Sequence, residues 1–239
     1  MASTFSSDLK LEIVATGEKA GLWGTITNTN LQILEQSASG YQEIDMAGAS
    51  VTLLLSDGAT SNGKNFYLKL SGTLAGDRTL TMPSGSERVW IISDETVRGR
   101  SNRTLSVLTA SGTSQPVPPG ATLLCVSDGT NTTTRIIEKG YATITDSNSP
   151  YAAVAGAQIF ANTTANPIEI DLPASPAVGD EITIIDTRGT FGSNNLTIDR
   201  NGQPINTGTS NLVLNTNGQA ITLVYVDATR GWAFKTNTA

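Results

Sequence analysis

The sequence contains no histidine and only one cysteine, Cys125. Histidine is the usual general base beside serine and cysteine nucleophiles and the commonest zinc ligand, so its absence argues against both kinds of site. A single cysteine forms no intrachain disulfide, and its apolar neighbours at positions 123–126 predict a buried, reduced thiol in a chain made in a reducing cytoplasm. We therefore predict that the protein is not an enzyme and binds no metal and no cofactor.

Large side chains and charges are also scarce. Aromatic residues make up 5% of the chain and charged residues 15%, and no apolar run approaches the roughly 18 residues that cross a bilayer. The first ten residues have no signal-peptide pattern. With a net charge of −6, the chain would repel the phosphates of nucleic acids. These features predict a protein with no membrane insertion and no nucleic-acid partner.

What fills the chain instead is Ser, Thr, Asn and Gly, interleaved with β-branched residues in alternation. This mixture is typical of solvent-faced antiparallel sheets, and the length of 239 residues favours two small domains. Four strand-like segments recur in the same order, which predicts an internal duplication. The matched pairs are residues 79–83 and 169–173, 87–94 and 180–186, 102–107 and 194–198, and 121–129 and 220–228.

From these patterns we predict a mainly β fold with three parts. An N-terminal attachment segment, residues 1–40, precedes two related β-sandwich or small β-barrel modules, residues 41–139 and 140–239. We expect the two modules to fold without the segment. In the aligned strands Trp90 stands opposite Thr183, which predicts that Trp90 faces outward, whereas Trp232 follows the last turn and is expected in a core.

One stretch, residues 58–65, has the glycine and lysine spacing of a phosphate-binding loop. Asn65 stands where such a loop supplies a hydroxyl to magnesium, and residues 66–70 have the pattern of a strand where a helix should begin. We therefore expect this stretch to be a plain connection between strands.

Four aspartates are the remaining candidates for chemistry. Asp180 with Asp186, or Asp171 with Asp199, could meet across a sheet as a glycosidase-like carboxylate pair. Aspartate at the end of a strand is also ordinary turn chemistry, which we favour for all four. The chain has no Asp-x-Asp-x-Asp loop of the kind that binds calcium, and calcium at the aspartate loops stays an open alternative.

The N-terminal segment has the features of an attachment site. Trp23 lies in a Gly-x-Trp-Gly sequence, and the polar residues 25–30 are expected to cap a short helix with apolar positions at Leu31, Ile33 and Leu34. The alternative is that Trp23 closes a small core. The predicted docking residues are Trp23, Gly24, Asn28, Asn30, Leu31 and Leu34.

This Gly-x-Trp-Gly, followed by Asn-x-Asn-Leu and an acidic helix end, resembles the N-terminal segment of bacteriophage tail-fibre and virion-appendage proteins, including those of marine phages. The resemblance covers roughly the first forty residues. Leu-Pro-x-x-Pro-x-x-Gly-Asp-Glu and Asn-Asn-Leu-Thr-Ile in the second module also resemble a module of phage tail-fibre-like proteins. The first module departs from it, with Ser-Gly-Ser in place of Ala-Ser-Pro-Ala-Val-Gly.

The resemblance implies a structural viral protein of the virion, assembled in the host cytoplasm. It implies a tail fibre or fibre-like appendage of the phage tail, a homo-oligomer with a homotrimer favoured, that docks onto other virion proteins through its N-terminus. Host attachment through a surface glycan is a further expectation. Two alternatives stay open: a head-decoration or neck/collar subunit, and a free carbohydrate-binding module with a platform of Trp90, Trp232 and tyrosines.

Overall fold

The computed structural model describes residues 3–98 and 103–238. The described chain is mainly β, with one α-helix. Its contacts divide it into two compact units. The first holds the described residues up to Val97 together with Leu105–Val117 and Thr122–Ile137. The second holds the described part of residues 98–104, Pro118–Ala121 and the described residues from Glu138 on.

The first unit carries eleven strands, the helix and one turn of 3-10 helix. In chain order the elements are β1 (Thr4–Phe5), β2 (Glu12–Ile13), α1 (Trp23–Ser39), β3 (Tyr41–Asp45), β4 (Val51–Thr52), the 3-10 turn Asn62–Lys64, β5 (Tyr67–Ser71), β6 (Arg78–Met82), β7 (Glu87–Asp94), β8 (Leu105–Thr109), β9 (Gln115–Pro116), β10 (Thr122–Asp128) and β11 (Thr132–Glu138). Strands β1 and β2 form a small antiparallel ladder of their own.

The second unit is made of nine strands and one 3-10 turn. They are β12 (Ala142–Thr145), the 3-10 turn Asp146–Asn148, β13 (Tyr151–Ala152), β14 (Gln158–Asn162), β15 (Ile168–Asp171), β16 (Glu181–Asp186), β17 (Leu196–Asp199), β18 (Leu212–Leu214), β19 (Ala220–Asp227) and β20 (Gly231–Thr238).

Successive strands of the first unit alternate between two sheets. The larger sheet has the order β11-β10-β7-β5-β3 and the smaller one β4-β6-β8-β9. Strands β3, β5 and β7 are parallel neighbours, as are β4, β6 and β8. The chain thus makes three coils of two strands each, as in a β-solenoid, before β9 and β10 reverse direction against their neighbours.

The second unit repeats this topology strand for strand. Its larger sheet has the order β12-β14-β16-β19-β20 and its smaller one β13-β15-β17-β18. The first three strands of each sheet are again parallel, and the last strands are antiparallel. The four segment pairs found in the sequence correspond to β6 and β15, β7 and β16, β8 and β17, and β10 and β19, so the duplication is confirmed.

Burial alternates along β7 and β16, the third strands of the two larger sheets, which places every second residue of each inside its unit. In the second unit both sheets contribute to one apolar core, and its members include Ile159, Ile170, Ile184, Ile198 and Leu223. The expectation of a mainly β fold is therefore correct, whereas a sandwich or barrel of antiparallel strands matches only in part. Parallel coils need the same alternation as antiparallel strands, so the pattern alone did not distinguish them.

Matching aspartates end matching strands in the two units. The Asp128 carboxylate accepts the N–H groups of Thr130 and Asn131, at 2.8 and 2.7 Å. Asp227, at the end of β19, accepts those of Thr229 and Arg230 at 2.8 and 2.7 Å. These side chains close the turns after β10 and β19 in the same way, as expected from turn chemistry.

The alignment that set Trp90 against Thr183 is wrong by one residue. Leu68 pairs with Ile92 in the first unit, and Ile159 pairs with Ile184 in the second, so Trp90 corresponds to the inward-facing Ile182. Trp90 is accordingly fully buried, and its indole N–H donates to the carbonyl of Gly63 at 3.0 Å. A shift of one residue exchanges the two faces of a strand, which explains the error.

Trp232 is also fully buried, as expected, and packs edge-on against Tyr225 with the ring centroids 5.5 Å apart. We therefore expect Trp90→Ala and Trp232→Ala to lower the free energy of unfolding by similar amounts, about 3–5 kcal/mol each, because each leaves a large cavity. Denaturant melts of the two variants check this. A loss under about 1 kcal/mol for Trp90→Ala would contradict the inward-facing register of β7.

Candidate docking surface

The helix α1 is longer than the sequence analysis predicted. It begins at Trp23, runs for 17 residues and ends at Ser39, before Gly40, whose backbone is extended. Residues 25–30 lie inside the helix rather than capping it, because the turn before it is closed by Gly21 at a φ of +80° and no side chain caps its first residues. In residues 3–98 and 103–238 there is no helix with the length and apolarity to cross a membrane.

One face of α1 packs on the first unit and the other is exposed. Ile33 is fully buried, whereas Trp23, Leu31 and Leu34 are 53%, 57% and 41% exposed. At about 100° per residue these three side chains fall within an arc of about 80°, and Thr27 and Ala38 lie between them. We call Trp23, Thr27, Leu31, Leu34 and Ala38 the helix stripe.

Two side-chain amides fix the orientation of α1. Asn30 accepts the N–H of Glu12 at 3.0 Å and donates to its carbonyl at 2.9 Å, which ties the helix to β2. Gln36 makes the same pair of bonds with the backbone of Ser61, at 3.3 and 3.1 Å. Because these bonds hold α1 at Asn30, near its middle, and at Gln36, near its C-terminal end, that part of the helix stripe is presented to solvent by a fixed support.

The segment before the helix is also attached to the first unit. The Asp8 carboxylate accepts the N–H of Glu87 at 2.9 Å, and its carbonyl accepts the hydroxyl of Ser86 at 3.0 Å. The carbonyl of Lys10 accepts the N–H of Gly58 at 2.8 Å. The described residues before Tyr41 therefore contribute contacts to the first unit, and the independent folding of the chain from Tyr41 on stays a prediction.

The six predicted docking residues fall into two groups. Trp23, Leu31 and Leu34 share the helix stripe, and Gly24 and Asn28 are exposed at its side, with open space around Gly24. The Asn30 side chain is taken up by the backbone of Glu12. Thr27 and Ala38 were not predicted as members of the surface, although helical spacing from Leu31 and Leu34 would have found them once residues 25–30 were assigned to the helix.

The stretch with phosphate-loop spacing forms part of the support for α1. Its 3-10 turn, Asn62–Lys64, precedes β5 rather than a helix, so the expected strand connection is correct. Lys64 is fully buried, and its ammonium donates to the carbonyls of Ser56 at 2.7 Å and Ala59 at 2.5 Å. Arg88 donates to the Lys64 carbonyl at 2.8 Å. The lysine holds the loop closed from inside instead of facing a ligand.

Burial, reinforced by the nearby Arg88, lowers the pKa of Lys64 from 10.5 to about 8. The folded chain therefore releases this proton at a lower pH than the unfolded chain. Between pH 8 and 10.5 the unfolded chain binds more protons, so the free energy of unfolding rises with pH, by about 2–3 kcal/mol in total. We expect Lys64→Met to remove this rise in the free energy of unfolding, measured by chemical denaturation between pH 8 and 10.5. If the free energy of unfolding changed with pH equally in both proteins, the expectation would be contradicted.

Of the two candidate carboxylate pairs, one has its two side chains close together. Asp171 of β15 pairs with Asp199 of β17 across the smaller sheet of the second unit, and Glu169 lies with them, so that one oxygen of each falls within 4.8 Å of the others. Asp180 precedes β16 and Asp186 is its last residue, so the two lie about 20 Å apart along an extended strand. Nothing beyond the three carboxylates marks the cluster as a ligand site.

The two members of the other pair have structural partners. Asp180 accepts the N–H of Ala177 at 2.8 Å. Burial opposes ionisation of Asp186, but the N–H groups of Phe191, Gly218 and Arg188 donate to its carboxylate and outweigh that effect, so its pKa lies below the ordinary value. Both aspartates therefore serve the turns around β16.

Burial, together with the negative charge of Asp199, raises the pKa of Asp171 above its ordinary value. The carboxylate is thus disfavoured in the folded chain, so the contribution of Asp171 to the free energy of unfolding falls as the pH rises through its ordinary pKa towards the raised one. We expect Asp171→Asn to raise the free energy of unfolding at pH 7 by a few tenths to about 1 kcal/mol and to have no effect at pH 3. Thermal melts with a chelator present measure it, and destabilisation at pH 7 would contradict it.

Comparison with known proteins assigns no family to the chain. No protein-family model matches it, and no curated protein matches it. Among solved structures, a chain from one described as "Structure of a chaperone-substrate complex" is 13% identical over 82% of this chain, with a TM-score of 0.37. This chain spans 32% of the length of that one. A TM-score this low carries no argument about fold or function.

Proposed function

We propose that this protein is a structural subunit of a phage virion, a tail fibre or fibre-like appendage that docks onto other virion proteins through its N-terminal segment. The observation that carries the proposal is the helix stripe, an exposed apolar surface on a helix that is fixed to the first unit. The proposal also draws on the resemblance of the first forty residues to virion-appendage proteins. It includes a homo-oligomer, with a trimer favoured, and contact with a host-surface glycan.

The charge distribution of α1 supports docking onto a protein surface. Glu35 is the only charged residue of the helix, and it lies outside the helix stripe. Interface cores are poor in charged residues and rich in aromatic ones, and a single tryptophan among apolar neighbours is a frequent centre of binding energy. Trp23 with Leu31 and Leu34 has this composition.

The two units support a role in assembly rather than in catalysis. Their coils are held by backbone hydrogen bonds between parallel strands. The side chains of Asp180, Asp186, Asp199 and Lys64 bond to the backbone of turns and loops. We therefore propose no catalytic activity for the protein.

A head-decoration or neck/collar subunit of the same virion would present the helix stripe equally well, and the position of the protein on the particle separates these roles. The free carbohydrate-binding module has less support. Trp90 and Trp232 are fully buried, which removes both tryptophans from any sugar-binding platform.

We expect Leu31→Ser with Leu34→Ser to reduce the number of copies on purified virus particles by about tenfold or more, because two apolar anchors are lost. Gln32→Ser with Glu35→Ser is the matched control, since it changes neighbouring exposed positions of α1 at the same spacing. Copies are counted by immunoblot, and antibody-labelled electron microscopy gives their position. Particles without label would overturn the proposal, and equal loss in both variants would remove the helix stripe from it.

A further inference from the structure

The outward face of the larger sheet in the first unit carries an apolar row. Tyr41 pairs with Tyr67, Tyr67 with Ile91, and Ile91 with Leu124, so the row crosses β3, β5, β7 and β10. The two tyrosine rings stack with their centroids 5.6 Å apart. Tyr41 is exposed and the other three are half-buried, whereas their chain neighbours Leu68 and Ile92 point into the core.

The second unit shows what the same position looks like without an apolar row. In the corrected register, Gln158, Thr183 and Thr222 correspond to Tyr67, Ile91 and Leu124. Gln158 pairs with Thr183 and Thr183 with Thr222, and the two threonine hydroxyls lie 3.0 Å apart. Tyr141, which precedes β12, corresponds to Tyr41, so the two units share an aromatic residue at the edge of this row. The sheet tolerates polar residues at the other three positions, so Tyr67, Ile91 and Leu124 are not required by the topology.

A second pair of outward positions differs at one of its two members, because Val126 corresponds to Val224 and only Val89 is replaced by a charged residue. Val89 pairs with Val126 on the outward face of the first unit, and the two are 41% and 40% exposed. In the second unit Glu181 takes the place of Val89 and forms ion pairs with Lys139 and Lys235. We call Tyr41, Tyr67, Ile91, Leu124, Val89 and Val126 the sheet-face patch.

The charges beside the sheet-face patch favour a second copy of this chain as its partner. Lys69 lies between Glu43 and Glu95, with its ammonium 4.0 and 2.9 Å from their carboxylates. Two copies with a net charge of −6 each repel one another, so their contact needs an uncharged centre. A positive group between two negative ones at the rim is self-complementary, because the lysine of one copy can face a glutamate of the other.

We propose that the sheet-face patch is a self-association surface that packs against the same patch of a second copy. This deepens the homo-oligomer part of the proposed function and rests on it. A contact between identical patches is two-fold and joins copies in pairs, so it adds to the contacts within the favoured trimer rather than forming them. Four strands about 4.8 Å apart and five residues long give a face of roughly 300 Å², well under the roughly 800 Å² per partner of a stable interface. The contact is therefore weak by itself and depends on concentration.

The test measures the mass of the full chain by sedimentation and light scattering from about 1 to about 200 µM. Ile91→Thr with Leu124→Thr installs the threonine pair that the second unit already uses. We expect it to raise the dissociation constant by about tenfold or more. The control, Val178→Thr with Val213→Thr, removes two exposed valines from the second unit and should leave the constant unchanged.

Val89→Glu is a second variant for the case in which the threonine pair unfolds the sheet. It changes a half-exposed position to the residue type of the second unit, and it brings like charges together in a symmetric contact. It should weaken association by a similar factor.

An oligomer whose dissociation constant is the same in the wild type and in both patch variants would overturn this inference and leave the homo-oligomer proposal in place. A wild type that stays monomeric to about 200 µM would overturn both. Neither result bears on docking through the helix stripe, which the particle experiment tests separately.

Discussion

The stacking of parallel strands in register is the constraint on which both units depend. Because each strand lies directly above its predecessor in the same sheet, an inward residue of one coil meets an inward residue of the next. Ile44, Leu70 and Asp94 form one such row, and Ile144, Ala161 and Asp186 form its equivalent. A core between two sheets is thin, so these rows leave no room for an unpaired polar group.

The last member of each row shows how that constraint is met. Asp94 and Asp186 are both buried, and each carboxylate is turned back onto the chain that follows its strand. Asp94 accepts both the N–H and the hydroxyl of Thr96, at 3.1 and 2.6 Å. An inward carboxylate is compatible with the core only because backbone donors surround it. The same residue type therefore ends the third coil of the larger sheet in both units.

The sequence was sufficient to predict strands, the duplication and the order of the matched elements, because alternation and turn residues are local properties. It was not sufficient to predict which strands pair. Pairing is a long-range property, and parallel coils use the same alternation as hairpins. Trp90 is an example, because an alignment shifted by one residue assigned this buried side chain to the outward face of the sheet. The acidic ends of β7 and β16, Asp94 and Asp186, would have given the right alignment.

The candidate docking surface likewise has features that local sequence predicts and features that depend on long-range contacts. Apolar residues beside Trp23 were recognisable from composition, but the orientation of α1 depends on side-chain bonds of Asn30 and Gln36 to the backbone of distant residues. The apolar row at Tyr67 and Ile91 was not recognisable at all, since it becomes unusual only beside its polar counterpart in the second unit. The second unit thus serves as the reference for the first, and the two can be compared position by position once the strand register is known.

The closing strands of each unit determine how such a protein can change in length. In the larger sheets, β10 and β19 pair antiparallel with the third coil, so the parallel edge that would accept a fourth coil is already occupied. An open solenoid lengthens by inserting one coil at a time, whereas here an inserted coil would have to displace the antiparallel pair. Evolution of a longer chain is therefore expected to proceed by copying whole units, each with its own antiparallel closing strands.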